Sequence, residues 1–359
     1  MSSADPEVLR EVTRAAAAIF SDPIRRRAAL SYLHQRGIDA TTLPPEWLLG
    51  YVPPGWTRLV DKLRHRFPDQ ALLDAGVARL SSRGTLIDSF RNRVIFGIRD
   101  TDGAVAGFIG RDLSGHPGAP KYLNTHQHPL FDKGSLLYGL YEGMRDGHAR
   151  QPVVVEGPLD VLAIAARQHT DAHAGLVPVA ACGTSFTVSH ARRAAAVAFA
   201  HQSPVVVAMD SDPAGRAAAL SAGERLRAEG LEVRLATLPD GSDPAEHLAH
   251  AGGGLDAFQA DDGLPLINLQ VQHAIARQGD RMQWVEGRLA ALRSLTDYLA
   301  TYPSSYTARQ IGWLAEALAL TPSSVTAELA DAYLHRDRKI GTRERQRAMT
   351  VDTGAHIAI

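Results

Sequence analysis

Two short apolar runs that end in carboxylates constrain the fold of this chain more than any other feature. The first, residues 153–155, is followed directly by Glu156, and the second, residues 204–209, is followed by Asp210. Neither run alternates between apolar and polar residues, so each is predicted to be a strand that is covered on both faces of a parallel sheet. A proline and an Ala-rich, helix-forming stretch come after each run. This order predicts two strand-to-helix units of an α/β protein.

The carboxylates of these two units are expected to converge. Because ligands of an open parallel sheet bind beyond the carboxyl ends of its strands, Glu156, Asp160, Asp210 and Asp212 should meet there. Their mutual repulsion calls for a cation, and an all-oxygen ligand set without His or Cys favours Mg²⁺ or Mn²⁺. An Asp at a helix start is ordinarily a cap. Two acidic strand ends of the same form in one short segment nevertheless favour a metal site.

Charge is distributed unevenly along the 359 residues. Residues 1–150 carry a net charge of +4, residues 151–262 a net charge of −7 and residues 263–359 a net charge of +2, against −1 overall. An acidic segment between weakly basic neighbours suits a metal centre flanked by surfaces for a polyanion, although solvated surfaces could give the same balance. The near-neutral total excludes a globally basic nucleic-acid binder.

The cysteine content and the N-terminal sequence indicate the cellular compartment. Cys182 is the only cysteine, so neither a disulfide framework nor a Cys-based zinc module can form within this chain. The first 20 residues lack the basic and long apolar regions of a signal peptide, and no apolar run reaches membrane-spanning length. We therefore expect a cytoplasmic protein with no membrane contact.

The N-terminal region has the pattern of a mixed α/β subdomain. Residues 5–38 are predicted to form two helices that are broken at a Ser-Asp-Pro turn. Residues 100–103 predict a hairpin turn between two short strands. The loop that follows holds Lys121, Tyr122 and Asn124, a combination that suits phosphate contact and base stacking. Taken alone, such a loop is more often an ordinary part of the surface.

Three segments of the acidic region resemble the motifs of TOPRIM domains. Residues 156–160 (EGPLD) are similar to the EGxxD motif, and residues 210–215 (DSDPAG) are similar to the DxDxAG motif. Between them, residues 182–185 (CGTS) resemble the small-residue turn after the second strand of the same fold. TOPRIM domains occur in topoisomerases, primases, repair proteins and nucleases. The resemblance therefore implies a parallel sheet flanked by helices and a metal site, and it leaves the reaction open.

The sequence around this region resembles the catalytic core of DnaG-type bacterial primases. The resemblance runs from about residue 28 to residue 260, and the motifs that carry it occur in the order and approximate spacing of that family. They are YLxxRG at 32–37, GYxPPGW at 50–56, FRxRVxF at 90–96, GFxGR at 107–111, PKYLN at 120–124, KGxxLYGL at 133–140 and LPDGxDP at 238–244.

This resemblance implies a nucleotidyltransferase that joins ribonucleoside triphosphates into RNA primers on a single-stranded DNA template during DNA replication. It implies catalytic roles for the residues that match Glu156, Asp160, Asp210 and Asp212, with two or more Mg²⁺ or Mn²⁺ ions. The implied metal ligands are Glu156, Asp210, Asp212 and Asp243. The implied contacts to nucleotide and nucleic acid are Arg91, Arg93, Arg111, Lys121, Tyr122 and Asn124.

Three departures from the family pattern bear on cofactors and partners. One cysteine cannot supply the family's N-terminal zinc-binding module, so no zinc is expected. Ala245 stands where the family commonly has a second acid, two residues after Asp243. Residues 263–335 predict a small helical bundle, which leaves little room for a helicase-binding domain. Its expected core is Trp284, Leu289, Leu292, Leu295, Trp313 and Leu318. A helicase or a start-site-recognition protein is therefore an expected partner of this chain, which we expect to be a monomer associated with the nucleoid or a replicon.

These expectations divide the chain into four parts: an N-terminal α/β subdomain with a basic template and nucleotide surface (1–150), a TOPRIM metal-binding domain (151–262), a C-terminal helical subdomain (263–335) and a basic, disordered tail (336–359). The alternative is a non-polymerising TOPRIM protein, either a metal-dependent nuclease or a nucleic-acid-binding accessory. The loop at 121–124 favours the primase, whereas the missing zinc module favours the accessory. A topoisomerase is disfavoured because no tyrosine-bearing cleavage domain of adequate size remains.

Overall fold

The computed structural model describes residues 5–336 and residue 338, apart from residues 146, 149, 171–174 and 184. The chain divides into a first compact unit that ends at Pro265 and a second that begins at Leu266. Among the described residues, no helix combines the length and the apolar character that crossing a membrane requires. Apart from Arg336 and Arg338, the predicted tail lies outside the described residues.

The N-terminal part of the first unit combines four helices with an antiparallel sheet. The helices are α1 (Pro6–Phe20), α2 (Pro23–Gln35), α3 (Val60–Leu63) and α4 (Asp69–Asp74). The strands are β1 (Leu49–Val52), β2 (Ala78–Leu80), β3 (Leu86–Asp88), β4 (Arg93–Arg99), β5 (Val105–Asp112) and β6 (Tyr122–Asn124). Four of these strands form a sheet in the order β1-β4-β5-β6, and β2 pairs with β3 in a separate hairpin.

Two local predictions for this region are confirmed. The first helices are separated at Asp22, whose side chain accepts hydrogen bonds from the backbone N–H groups of Ile24 and Arg25. Pro23 then begins α2, where its fixed φ suits the first helical position. The predicted hairpin turn at residues 100–103 joins β4 to β5, which pair antiparallel.

The second part of the first unit is a mostly parallel sheet covered by helices. Its strands are β7 (Leu137–Tyr138), β8 (Gln151–Val155), β9 (Leu176–Ala181), β10 (Val205–Ala208), β11 (Val233–Leu235) and β12 (Leu264–Pro265). Its helices are α5 (Leu140–Arg145), α6 (Pro158–Thr170), α7 (Val188–His201), α8 (Pro213–Ala228) and α9 (Pro244–Ala249). The strand order is β12-β11-β10-β8-β9-β7, with a parallel centre and antiparallel edges.

Complete burial of the central strands explains their unbroken apolar sequence. Every residue of β8 and of β10 is buried, as expected for parallel strands that helices cover on both faces. The two strands are neighbours, and Val155 pairs with Ala208 at their carboxyl ends. Both strands therefore deliver the carboxylates that follow them to the same edge of the sheet.

One hydrophobic core joins the antiparallel sheet to the mostly parallel sheet. Phe96 of β4, Tyr138 of β7 and Val155 of β8 are all buried in it. The Tyr138 ring makes edge contacts with the rings of Phe96 and Trp47, with centroids 6.1 and 6.0 Å apart. Such close packing fixes the two sheets against each other, and with them the residues on their loops.

The second unit is a helical bundle, as predicted. It contains α10 (Leu266–Gln278), α11 (Val285–Leu299), α12 (Ser304–Ala317) and a further helix over residues 322–336. The buried core of this bundle includes Leu292, Leu295, Leu314, Leu318 and Val325. The fold is α/β as predicted, with a mostly parallel sheet flanked by helices, a mixed N-terminal region and a C-terminal bundle.

The predicted place of Trp284 in the bundle core is wrong, because its side chain is 63% exposed. Trp284 is the N-cap residue of α11 and follows a short 3-10 turn. It therefore precedes the helical periodicity that directs Leu292 and Leu295 inward.

Candidate active site and nucleic-acid surface

The acidic residues lie where the strand register places them. Glu156 directly follows β8, and Asp210 comes two residues after the end of the adjacent β10. Together with Asp160 and Asp243 they line a cavity of about 530 Å³. The predicted convergence of Glu156, Asp160 and Asp210 is therefore observed, and Asp243 joins them from the start of α9.

Glu156 and Asp210 are neighbours at this edge of the sheet, and both line the cavity. The pKa of Asp210 is raised to about 6, first by burial and then by the negative charges of Glu156, Asp243 and Asp212. Repulsion of this kind is what a bound cation relieves. The electrostatics of this edge are therefore those expected of a cation site.

Asp160 is the most deeply placed of the acidic residues. Its carboxylate oxygens accept hydrogen bonds from the backbone N–H groups of Gly157 (3.1 Å) and Ala245 (3.3 Å). Burial, followed by the charges of Asp243 and Asp210, raises the pKa of Asp160 to about 8. The side chain thus ties the turn after β8 to the first turn of α9, and it is protonated at neutral pH when no cation is present.

Asp212 and Asp243 both act as helix caps. The Asp212 side chain accepts a hydrogen bond from the Gly215 N–H (2.7 Å) at the start of α8, is exposed, and is absent from the lining of the cavity. The Asp243 side chain caps α9 through the Glu246 N–H (2.6 Å) while still lining the cavity. Asp212 therefore affects this site because its negative charge raises the pKa of Asp210. Asp243, in contrast, is itself part of the cavity wall.

The opposite wall of the same cavity is cationic and aromatic. Arg111 from β5 and Lys121, Tyr122 and Asn124 from the loop and strand β6 all line it. The Arg111 guanidinium lies 5.0 Å from the centroid of the Tyr122 ring. Among the described residues, its buried Nε and Nη1 atoms have no hydrogen-bond partner, and neither has Oδ1 of Asn124. Burial raises the pKa of Tyr122 to about 12, so its hydroxyl stays protonated.

Gly183 closes this wall after β9. It has a φ of +70°, and a Cβ at this position would collide with the amide nitrogen of Asn124. Only glycine satisfies both requirements without strain. The predicted small-residue turn at 182–185 thus holds Asn124 in place, although Thr184 of that turn lies outside the described residues.

A larger cavity of about 960 Å³ adjoins this site, and Asn124 lines both. Arg91 and Arg93 line the larger one, so the predicted nucleic-acid contacts are divided between two neighbouring cavities. The guanidinium of Arg91 lies 4.6 Å from the centroid of the Trp56 ring, and Trp56 is 65% exposed. This pair forms a flat, cationic platform.

The guanidinium of Arg93 is engaged within the fold more fully than that of Arg91, which is half-buried and donates to the backbone oxygen of Asp88 (2.7 Å). It is buried, donates to the backbone oxygens of Gly110 (2.9 Å) and Pro120 (3.0 Å), and lies 3.5 Å from Asp112. These contacts hold the loop before β6 against β5. Arg93 therefore shapes the cavity, whereas the half-buried Arg91 lines it beside the exposed Trp56 ring.

Two site residues were missed in the sequence. Arg36, at the end of α2, lines the smaller cavity with its guanidinium 5.6 Å from the Tyr32 ring. Trp56 supplies the platform of the larger cavity. Both lie in motifs that were recognised at 32–37 and 50–56, so the signal was present, but neither residue was assigned a role in binding.

The acidic edge fits a divalent cation of the magnesium type. Its donors are oxygens, and Glu156 and Asp210 repel each other when both are ionised. Within the described part of the chain, no three His, Cys, Asp or Glu side chains are arranged to coordinate one ion. Mg²⁺ is commonly held by one or two carboxylates, with water and substrate phosphates completing its shell. A partial protein ligand set is therefore compatible with this chemistry.

The fold and the site together define a TOPRIM-containing α/β protein with an acidic edge that faces a cationic wall. Residues 20–144 match the family model described as the N-terminal domain of the DNA primase catalytic core, and residues 153–248 match a Toprim-like model. A DNA primase from Salmonella typhimurium is 39% identical over 245 residues, which cover 67% of this chain and 40% of that relative.

Solved structures agree with this assignment. A DNA primase domain from Pseudomonas aeruginosa is 30% identical with a TM-score of 0.69, and the match covers 90% of this chain and 99% of that one. A DnaG primase catalytic domain bound to ssDNA is 29% identical with a TM-score of 0.69, and the match covers 88% of this chain and 98% of that one. The chain belongs to the DnaG primase catalytic-core family. It spans about 40% of the length of the first curated relatives that it matches.

Proposed function

We propose that this chain joins ribonucleoside triphosphates into short RNA primers on a single-stranded DNA template, with Mg²⁺ or Mn²⁺ as cofactor. The observation that carries the proposal is that the acidic edge and the cationic wall line one cavity, and that two nitrogens of Arg111 on this wall have no hydrogen-bond partner among the described residues. A nucleoside triphosphate with its divalent cations is a ligand that needs both surfaces. The curated relatives named as DNA primases and the DnaG structure bound to ssDNA support this reaction.

The acidic edge would hold two or more cations through Glu156, Asp210 and Asp243, with Asp212 adding negative charge beside Asp210. Such cations stabilise the attacking and leaving oxygens of a nucleotidyl transfer when they are bound. We assign Glu156, which lies beside Asp210 at the same edge of the sheet, to accept the proton of the attacking hydroxyl. Asp160 is a positioning residue, because its backbone hydrogen bonds hold the turn after β8 against α9.

The cationic wall would bind the triphosphate. Arg111 offers two buried N–H groups that have no partner among the described residues, and Lys121 lies beside it on the same wall. Buried, unpaired donors gain strongly from an anionic ligand, because burial leaves them without solvent. Asn124 lies between the two cavities and is placed to contact the nucleotide on one side and the template on the other.

The larger cavity would carry the single-stranded template. Its exposed Trp56 ring, backed by Arg91, offers a stacking surface for a base and a positive charge for the backbone. Stacking on aromatic rings within a basic groove is the usual chemistry of single-strand binding. Arg93 would maintain the shape of this groove through its contacts with Gly110 and Pro120.

The proposal assigns a separate role to each of three regions of the chain. Residues 1–150 would provide the nucleotide and template surface, residues 151–262 the metal centre, and residues 263–335 a helical accessory. We also propose that the protein acts in the cytoplasm as a monomer and receives start-site choice or helicase contact from a partner. We further propose that the acidic edge does not take zinc, because no cysteine or histidine lines its cavity among the described residues.

Incubation of the protein with labelled ribonucleotides, mixed-sequence single-stranded DNA and Mg²⁺ or Mn²⁺ tests the proposal. Short labelled RNA should form, and Asp210→Asn should abolish it without loss of folded structure. Asp261→Asn, at an exposed position away from the cavity, is the matched control and should retain activity. A degraded template with no extended product would replace this proposal with a metal-dependent nuclease. Binding to DNA with neither outcome would indicate a non-polymerising accessory.

Lys121→Ala provides a test of the cationic wall. Loss of one phosphate contact should weaken binding of nucleotide or template and reduce the dependence of that binding on salt. Unchanged binding and an unchanged salt slope would contradict the assignment of this wall to the polyanion.

A further inference from the structure

The turn after β10 contains a serine, Ser211, to which the proposed function assigns no role. Ser211 directly follows Asp210. The regular pairing of β10 with β11 ends at Val207, whose backbone oxygen accepts the N–H of Ala236 (3.0 Å). Past this point the ladder of the sheet no longer joins the two chain segments that bring Asp210 and Asp243 to the cavity.

A group of hydrogen bonds centred on Ser211 takes the place of that ladder. The backbone N–H of Ser211 donates to the oxygen of Ser242 (3.1 Å), and the Ser211 hydroxyl oxygen accepts the N–H of the same residue (2.9 Å). The hydroxyl also lies within donating distance of two backbone oxygens, those of Pro239 (2.7 Å) and Ser242 (2.9 Å). A serine hydroxyl can donate once and accept twice, so this side chain uses both capacities to join the turn after β10 to the turn before α9.

Each of the two turns is otherwise fixed to a helix of its own. The Asp212 side chain caps α8, and the guanidinium of Arg216 donates to the backbone oxygen of Ser211 (2.5 Å). The Asp243 side chain caps α9. These contacts hold each turn to its helix and do not connect one turn with the other. The Ser211 hydroxyl consequently links two rigid helix starts, one beside Asp210 and one at Asp243.

The two carboxylates that this link connects oppose each other. Asp210 and Asp243 line the same cavity, and Asp243 is one of the negative charges that act on Asp210. Without a cation their repulsion tends to drive the two turns apart, and the hydrogen bonds of Ser211 resist that separation. A fixed spacing matters most for Mg²⁺, which demands a near-ideal octahedron with short bonds, whereas Ca²⁺ accepts longer and irregular ones.

We propose that Ser211 is a positioning residue for the divalent cation, and that its hydroxyl keeps Asp210 and Asp243 at a spacing that favours Mg²⁺ over the larger Ca²⁺. The inference rests on the proposed function in one respect, which is that the acidic edge takes a divalent cation. Ser211 does not line the cavity, so it acts through the two carboxylates and is not itself a ligand. Groups that orient metal ligands in this way typically account for about 10–100-fold in metal affinity.

Thermal unfolding in increasing MgCl₂ and, separately, in increasing CaCl₂ tests the proposal. A ligand that binds only the folded state raises Tm with its concentration, so each series gives an apparent Kd. Ser211→Ala removes the hydroxyl and should weaken Mg²⁺ binding at least about tenfold, but Ca²⁺ binding by less than about threefold. Ser211→Thr keeps a hydroxyl and should restore both the Mg²⁺ affinity and the ratio of the two constants.

Ser203→Ala is the matched control. Ser203 lies before β10, at the end of the sheet opposite the acidic edge, and its hydroxyl donates to the backbone oxygen of Arg150 (2.8 Å) just before β8. Loss of this hydrogen bond should lower Tm in EDTA much as Ser211→Ala does. It should change the Kd of either ion by less than about twofold. If Ser211 had a structural role alone, the two alanine variants would bind both ions alike.

Several results would overturn the proposal. They are equal weakening of Mg²⁺ and Ca²⁺ binding by Ser211→Ala, Mg²⁺ binding that this variant leaves unchanged, and failure of Ser211→Thr to restore it. If Mg²⁺ does not stabilise the wild type at any concentration, this inference and the proposed metal centre are both wrong. A wild type that binds Mg²⁺ with the expected dependence on Ser211 but makes no RNA would refute the proposed reaction alone.

Discussion

The contact between Gly183 and Asn124 gives a quantitative test of how the cationic wall is built. Gly183→Ala puts a methyl group where the structure leaves no room for one beside the Asn124 amide nitrogen, and it does so at a φ of +70°. The left-handed backbone alone costs an L-residue about 1–2 kcal/mol. Displacing the Asn124 side chain from its rotamer adds about 0.5–1.5 kcal/mol. The variant should therefore lose about 1.5–3.5 kcal/mol of stability.

Gly230→Ala separates the two contributions. Gly230 follows α8 with a φ of +86° and has open space around its Cβ position, so alanine there incurs the backbone cost alone. Since about 1 kcal/mol shifts Tm by roughly 2–4 °C for a unit of this size, Gly183→Ala should melt roughly 2–4 °C below Gly230→Ala. In an Asn124→Ala background the collision disappears, and this difference between the two glycine variants should vanish.

Nucleotide binding supplies a second readout of the same collision. Gly183→Ala should weaken the affinity for a ribonucleoside triphosphate because it moves Asn124, whereas Gly230→Ala should leave that affinity unchanged. Equal stability losses at the two glycines in both backgrounds, together with unaltered nucleotide affinity, would refute the assigned packing of Gly183 against Asn124.

Three further predictions concern the acidic edge and the platform. Burial raises the pKa of Asp160 from its ordinary value of 3.8 to about 8 in the folded protein. The contribution of this group to stability is therefore complete below the unfolded pKa and is lost as pH rises through about 8. In EDTA, the unfolding free energy of the wild type should fall between roughly pH 5 and pH 8, and Asp160→Asn should make this fall shallower. Denaturant titrations at several pH values measure it. The same slope in both proteins would contradict the burial of this carboxyl group. Mg²⁺ at about ten times its Kd should stabilise the wild type by about 1.4 kcal/mol, and Asp210→Asn should lose most of that gain in thermal unfolding; equal gains would place the ion elsewhere. Trp56→Ala should weaken binding of single-stranded DNA by about 1–3 kcal/mol and Trp56→Phe by much less, as measured by anisotropy; equal losses in both variants would exclude stacking.

The acidic edge was predictable because its signal is local. The unbroken apolar runs before Glu156 and Asp210 specify buried parallel strands, and the position of a residue directly after such a strand fixes the edge of the sheet to which it belongs. No long-range information was needed for that inference. The approach of Asp243 to the same cavity depends on where α9 begins, and only the family resemblance indicated it.

The different roles of Arg93 and Arg111 were not predictable, because a sequence does not show which side chains bind backbone oxygens. In the sequence, Arg93 and Arg111 have the same character, because each is a basic residue at the end of one of two adjacent strands. Arg93 is satisfied by the carbonyl oxygens of Gly110 and Pro120, whereas two nitrogens of Arg111 lack a partner among the described residues. The two-residue strand β7 escaped notice for a related reason, since such a short segment has no periodicity and joins its sheet only through β9.

Ala245, which stands where the family commonly has an acid, lies next to Asp160. The backbone N–H of Ala245 donates to the Asp160 carboxylate, a bond that an acidic residue at this position could make equally well, so the alanine removes a carboxylate without replacing it. Because Asp160 is buried and protonated near neutral pH, the negative charge that faces the cavity rests mainly on Glu156, Asp210 and Asp243. Fewer carboxylates hold a divalent cation less firmly, and the missing ligands must come from water and phosphate. If the proposed function holds, such a site would bind its cations most strongly with the nucleotide present, which would couple metal binding to the arrival of substrate.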